Sequence, residues 1–600
     1  MKTTQEFVNA IDSEGAVRWW KHLLMFLLAV CLFAFYNLQE YRNFSNSQAM
    51  DMAQLARNIA QGKGYVTDNI RISSMFMVAE RNHGDYMLNG NHPDIVNPPL
   101  YPVVLAGLMK AASPVIPLDY SPRNDVLRFF PEMLIIFFNQ ALLFLCAILT
   151  YSLGKKMFDR EVGYFAAIVL ILNDMLWKFS ISGLPTLLSM LILLILFRLL
   201  YSFRIRNHTE NVNDLSSIPS VGWTLGKGFL IGLLVGAACL TQYALGWIIV
   251  PVLWYVMLSA RKSRKTIAGL TVVIVFACVV APWITRNFLV SGMPFGLATY
   301  APAAETSKLT DNVLERVATA DILAYYGPEQ NEYLSKMINN LSDIFQNVVS
   351  QAGGSWLTIC FLAGILLPFI AKGLNSTRFL LVVCMLLSAI AEAATRTHLT
   401  KESPGINGEN LLVVFVPMVF IFGAAFIFTM IEEINYELPS IRKMIIWVTG
   451  GFLCLPLFVT LLPPAAQLMA WPPYHPQSIH RISNFYKAEE MFASDMPWAV
   501  AWYGHHSCMG LPLNPEKDFF QINDDICPIR GLYLTQLTLD QRFLTDFTKA
   551  SHSWGDFLLQ FYGKGMLTGS FPLRNALRDI LPDQVFLSDW ERWRFSNNQD

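Results

Sequence analysis

Asp51 is the residue around which chemistry can be built. It lies in Ser47-Gln-Ala-Met-Asp-Met-Ala-Gln-Leu-Ala-Arg57, after a first apolar span at about 19–37 and before Gly62-Lys-Gly64-Tyr65. A carboxylate within hydrogen-bond reach of an alcohol can take its proton as a general base. Cations follow it in polar segments or at span ends: Arg57, Lys63, Arg71, Arg286, Arg396 and Lys401. An arginine grips an anion with a two-pronged fork, and a lysine holds it as a point charge. Either can instead snorkel to lipid headgroups. His83, His92 and Asp94 carry donor atoms for a divalent metal or a polar substrate. Asp51 has a plainer reading too, since a carboxylate in a first helical turn complements the helix dipole.

These residues need a scaffold, and composition supplies one. The chain has 600 residues, 54% hydrophobic and 15% charged, with a net charge of −1. Soluble domains carry about 25% charge, and no basic face points to nucleic acid. Apolar windows of membrane-spanning length fall at about 19–37, 131–153, 161–177, 184–201, 226–241, 243–260, 266–284, 355–371, 378–395, 410–430 and 443–462. That is about eleven spans. With the N-terminus inside, the inside loops hold Lys155, Lys156 and Arg160, then Arg198, Arg204, Arg206 and Lys227, then Arg261 to Lys265, then Lys372 with Arg378, then Arg442 with Lys443. Every one is basic, as the positive-inside rule asks. The first span has no small-residue cleavage site behind it and reads as an uncleaved anchor.

The long segments, about 38–130, 285–354, 396–409 and 463–600, then all lie outside. Function is expected there, on loops held by a rigid scaffold. Met52, Leu55, Ala56 and Ile59 form the apolar stripe of a helix, with Ser47 as its cap and Gly62 or Gly64 as its stop. The proline-bordered stretch from Pro98 to Ala112 is too short to cross and reads as an interfacial helix. The chain divides into a membrane domain, 1–462, which includes the first outer loop 38–130, and a soluble domain, 463–600. In the latter, strand-like Trp498–Tyr503, Gly531–Thr535 and Gln584–Leu587 alternate with helix-like Leu539–Lys549 and Gly555–Tyr562. This pattern suggests a small α/β layer behind a proline-rich linker. An oxidising exterior would allow Cys508 and Cys527 to pair. His505 and His506 beside Cys508 match no standard zinc spacing.

The order of these parts resembles the C-superfamily of integral-membrane glycosyltransferases, in particular family 39 relatives such as the aminoarabinose transferases and protein O-mannosyltransferases. Asp51-Met-Ala-Gln-Leu-Ala-Arg-Asn-Ile-Ala60 resembles the helix of the family's catalytic Asp. Pro98-Pro-Leu-Tyr-Pro102 resembles its interfacial helix, and Arg128-Phe-Phe-Pro131 the turn into its second span. Ala281-Pro-Trp-Ile-Thr-Arg-Asn287 with Ser291-Gly-Met-Pro294 resembles a later element. Departures are Met52 and Leu55 after the Asp, Asn97 in place of a lysine, and no carboxylate in Ser182-Gly-Leu-Pro-Thr186, where Asp174 is the nearest substitute.

The resemblance implies an all-α GT-C-like bundle with an extracytoplasmic α/β domain, in a bacterial inner membrane with the C-terminal domain periplasmic. It implies transfer of a sugar from a polyprenyl-phosphate donor to a hydroxyl on a lipid, protein or polysaccharide acceptor, with inversion and with Asp51 as base. Arg57, Lys63, Arg286 and Arg396 would hold the donor phosphate, and Asp174, Tyr65, Tyr101 and His92 would contact substrate. A divalent metal is compatible with such a site but not required by it. The rival readings are a lipid or sugar transporter, which would place ionisable groups at the bilayer midplane, and a non-catalytic assembly protein.

Overall fold

The structure, a computed structural model, describes residues 14–88, 90–122, 128–208, 220–348, 356–366, 373–434, 439–462, 474–515, 517–539, 554, 557, 571–577 and 584–596. The helices that build the bundle and the site are α1 (Glu14–Glu40), α2 (Ser47–Ala60), α3 (Ile72–Arg81), α4 (Leu100–Ala112), α5 (Phe130–Met157), α6 (Arg160–Ile171) and α7 (Asp174–Ile181). They continue as α8 (Thr186–His208), α9 (Val221–Thr241), α10 (Lys265–Ser291), α11 (Leu374–Thr395), α12 (Val416–Glu433), α13 (Pro439–Thr460) and α14 (Pro497–Tyr503).

Seven of these, α5 and α8 to α13, are long and apolar enough to cross a bilayer. The window 161–177 is a broken span, with α6 and α7 bent by 52°. The bend falls at Asn173, whose side chain caps α7 by accepting the Leu176 N–H. The window 19–37 lies within α1, which has 27 residues, while 243–260 and 355–371 show shorter apolar helices among the described residues; about eleven spans were expected, and seven or eight meet the length and composition test there. α4 has 13 residues, about 20 Å of helix, well short of a hydrocarbon core of about 30 Å.

One end of the bundle carries a six-stranded sheet in the order β1-β3-β2-β4-β6-β5, where β1 is Asn69–Ile70, β2 Met491–Ser494, β3 Cys508–Gly510, β4 Ile529–Leu534, β5 Asn575–Leu577 and β6 Val585–Ser588. β1 to β4 pair in parallel, and β6 runs antiparallel to β4 and β5. The sheet is not confined to the C-terminal segment. Its edge strand comes from the first outer loop, with Asn69 opposite Cys508 and Ile70 opposite Met509. The strands expected at 531–535 and 584–587 form. The run Trp498–Tyr503 does not; it is the helix α14, buried along its whole length and started by Pro497. A short, wholly buried apolar run has no period to separate strand from helix, and proline favours a first helical turn. The helices expected at 539–549 and 555–562 and the linker at 463–473 lie largely outside the described residues. Cys508 and Cys527 are both free thiols.

α14 ties the sheet to the bundle. Glu132, in the first turn of α5 and fully buried, accepts from Tyr41 Oη (2.5 Å), Phe44 N (2.9 Å), Trp502 Nε1 (2.9 Å) and Tyr503 Oη (2.5 Å). A buried carboxylate needs such donors, and this one draws them from two separate segments, the stretch after α1 and α14. The basic residues gather at the other end of α5. There Lys156 bonds Ser202 at 2.6 Å, Arg198 bonds Ser152, and Arg204 bonds Ser259 at 3.1 Å.

Candidate active site

α2 presents the candidate base. Asn46 caps it, accepting from Gln48 N (3.0 Å) and Ala49 N (3.3 Å). Ser47, the expected cap, is instead the first helical residue, and its hydroxyl donates to Glu402 at 3.0 Å. Asp51 therefore lies beyond the first turn, where the dipole explanation loses force. Its side chain is 1% exposed. Oδ1 accepts from Gln54 Nε2 (3.2 Å) and Asn69 Nδ2 (3.0 Å), and Oδ2 from Arg71 Nη2 (2.9 Å) and Asn97 Nδ2 (2.8 Å). A carboxylate offers about four such positions, and all are taken.

Charge follows from this shell. Burial pushes the Asp51 carboxyl up. Arg71 and the Asn97 and Asn69 amides pull it further down, so the net shift is below the usual carboxylate range. The guanidinium beside it decides the sign. Arg71 also donates to Glu315 at 2.8 Å. Burial disfavours its charge, but Asp51, Glu315 and Asp94 together hold it firmly protonated.

Asp94 is the second carboxylate. Its oxygens accept the N–H groups of Val96 (3.2 Å) and Asn97 (3.1 Å). Burial first, then the charge on Asp51, raise it to about 6. The two carboxyls thus move in opposite directions. A raised carboxyl contributes stability that is full below its unfolded pKa and is lost as pH rises through the folded value. Thermal melting is therefore expected to weaken between about pH 4 and 6 from this group, and Asp94→Asn should flatten that slope. A slope unchanged by the substitution would assign it elsewhere.

Arg286, near the end of α10, bonds the Asp94 carbonyl, the Asn287 side chain (2.9 Å) and the Tyr65 carbonyl (3.3 Å). It lies over the Tyr65 ring at 5.4 Å and the Trp283 ring at 5.0 Å. Tyr65 Oη donates to the carbonyls of Asn97 (3.0 Å) and Pro98 (3.2 Å). Beyond α10, Gly296 packs on the same loop. With φ +56, it would place a Cβ 2.0 Å from the Ile95 carbonyl oxygen, so only glycine fits. His92, fully buried, bonds Ser74 Oγ (3.0 Å) and the Tyr86 carbonyl (3.2 Å). Burial lowers it to about 4, so it is neutral at pH 7.

The site thus gathers Asp51, Tyr65, Arg71, Asp94, Asn97 and Arg286, with His92 behind them. Other candidates are occupied elsewhere. Arg57 spends two donors on the α14 carbonyls of Ala501 (2.6 Å) and Trp502 (2.8 Å). Arg396 pairs with Glu392 (2.8 Å) and Asp343 (2.6 Å). Lys63 and His83 are exposed, and Lys401 pairs with Glu305 (2.5 Å) and Asp311 (3.3 Å). Asp174 pairs with Lys178 at 2.7 Å, and Tyr101 bonds the Gly183 carbonyl at 2.9 Å. Asn69, Gln54 and Glu315 were not anticipated. Asn97 was visible only as part of its proline motif.

A divalent metal does not fit at Asp51. Its shell consists of N–H donors and a guanidinium, which repel a cation. Among the described residues no three His, Cys, Asp or Glu side chains converge as ligands.

No protein-family model and no curated protein matches the chain. Solved structures share its architecture. The archaeal oligosaccharyltransferase AglB from Archaeoglobus fulgidus, in complex with an inhibitory peptide and a dolichol-phosphate, aligns with a TM-score of 0.52 and 10% identity, over 90% of this chain and 72% of its own. ArnT from Cupriavidus metallidurans in the apo state aligns with a TM-score of 0.51 and 10% identity, over 96% of this chain and 98% of its own. Its complex with undecaprenyl phosphate gives 0.50 and 10% over 95% and 98%. The chain has the fold of these membrane glycosyltransferases, which is the fold its motif order implied.

Proposed function

We propose that, with this fold, the chain transfers a sugar from a polyprenyl-phosphate donor to an acceptor hydroxyl on the side of the membrane that carries the sheet. The observation that supports this reading most is the Asp51–Arg71 pair. It sets a carboxylate held below its ordinary range beside a buried cation where the first outer loop, α10 and the sheet edge meet. In the proposed step the acceptor oxygen bonds to the anomeric carbon from the face opposite the phosphate. The bond from carbon to phosphate oxygen breaks, the polyprenyl phosphate leaves with the electron pair, and the hydroxyl proton passes to Asp51.

A carboxylate below its usual range is a weak base, so it orients the hydroxyl and takes the proton late, as the new bond forms. The leaving phosphate needs fixed positive charge. Arg71 and Arg286 are the cations placed to supply it. Since Asp51 is fully hydrogen-bonded, the acceptor must displace one amide, Gln54, Asn69 or Asn97, to reach it. The arginine-rich far end of α5 faces the cytoplasm in this reading. The sheet is then periplasmic and the protein a multi-pass inner-membrane enzyme.

The test is direct. Purified protein is mixed with polyprenyl-phosphate sugars, with and without hydroxyl acceptors, and free polyprenyl phosphate is measured. Release that needs the protein and rises with acceptor is the expected result. Donor left intact by a folded protein, across the common hexose and pentose donors, would point to transport or assembly instead.

A further inference from the structure

A second hollow lies apart from the residues gathered around Asp51. It has a volume of about 300 Å³ and is lined by Asp119 and Ser121 on one side and His480, Asn484, His505 and His506 on the other. This volume is at the lower end of the range for small-molecule sites. We propose that it binds a neutral, hydroxyl-rich ligand of the saccharide class, as a site separate from the reaction centre.

The lining decides the class. Among the described residues it holds hydroxyls, amides, imidazoles and one carboxylate and no lysine or arginine, groups that exchange hydrogen bonds with a hydroxyl-rich ligand. His505 takes a left-handed backbone conformation, φ 53. A side-chain-bearing residue held there marks a position that its surroundings must enforce, and such positions gather at ligand sites. Its Nε2 lies 2.9 Å from the Tyr120 carbonyl, which can only accept. Burial keeps the ring neutral, at about 2, so Nε2 carries the hydrogen. His480, with its ring centroid 6.1 Å away, has a buried Nδ1 without a partner. A buried acceptor left without its hydrogen bond is costly, and a ligand hydroxyl is the donor that would relieve it. His506 is a wall rather than a contact, since its nitrogens face the carbonyls of Ser507 (2.9 Å) and Lys487 (2.8 Å).

None of the residues lining the hollow is among those gathered around Asp51, so its occupancy can be read without turnover. The full chain, purified in a non-glycosidic detergent, is examined by saturation-transfer NMR with mannose, glucose and N-acetylglucosamine at millimolar concentration. At least one sugar should receive saturation from the protein. Asn484→Trp and Ser121→Trp substitute exposed rim residues on opposite walls and should each abolish the transfer while melting as wild type does. No transfer to any of the three sugars, or transfer that survives in a folded rim variant, would overturn the proposal.

Discussion

Replacing Asp51 by Asn is expected to lower the release of polyprenyl phosphate by about 10²–10⁴-fold, the usual weight of a general base. The substitution preserves size but turns one acceptor oxygen into a donor. That NH₂ then faces amide or guanidinium hydrogens in a shell that holds only donors. Arg71 keeps its ion pair with Glu315 and the nearby charge of Asp94. The structural cost is about 1–3 kcal/mol, so rates must be compared well below the melting temperature of the variant. The rate of the wild type should show no limb from Asp51 near neutrality, because its carboxyl is held below the ordinary range. Equal release by both proteins would remove Asp51 from the chemistry and leave it as the keystone of a polar core.

The largest loss of stability is expected at Glu132. Glu132→Ala strands four buried donors: two tyrosine hydroxyls, an indole N–H and the Phe44 amide. Removing one partner from a buried charged cluster typically costs about 3–5 kcal/mol. Glu132→Gln keeps the shape and one acceptor, and should cost less. Because two of the donors, Trp502 and Tyr503, sit on α14, the alanine variant should loosen the sheet from the bundle before the spans themselves melt. Hydrogen exchange of the sheet strands, followed beside the overall melting curve, separates these events. An alanine variant that melts with wild type would show that the four donors find other partners, and Glu132 would lose its role as a tie.

Much of the scaffold was legible because apolar length and period speak for themselves. Seven spans, the proline-bordered α4 and the helix around Asp51 all follow from local pattern. The partners of Asp51 were not, because Asn69, Arg71 and Asn97 approach it only through tertiary folding, as Glu315 approaches Arg71. The chain holds no local sign that Arg57 would bond α14 carbonyls instead of a phosphate, or that Asp343 would reach Arg396, although Glu392 stands four residues before it on the same helix. The pKa of Asp51 shows the same limit. Burial was foreseeable and pushes it up, but the opposing guanidinium comes from another helix start. Trp498–Tyr503 failed for the reverse reason: its composition suits a strand, while its burial on every side admits either element.

The placement of β1 sets a schedule for biogenesis. Asn69, which holds Asp51, is anchored in the sheet beside Cys508, and Ser507 reaches Asp68 across 439 residues of chain. Contacts so distant in sequence form late, since the intervening loop must first be closed. During synthesis every span can enter the bilayer while this corner still lacks its neighbours. A nascent or truncated chain would then be inserted yet idle, and competence would arrive only when the last-made strands dock onto the first-made loop.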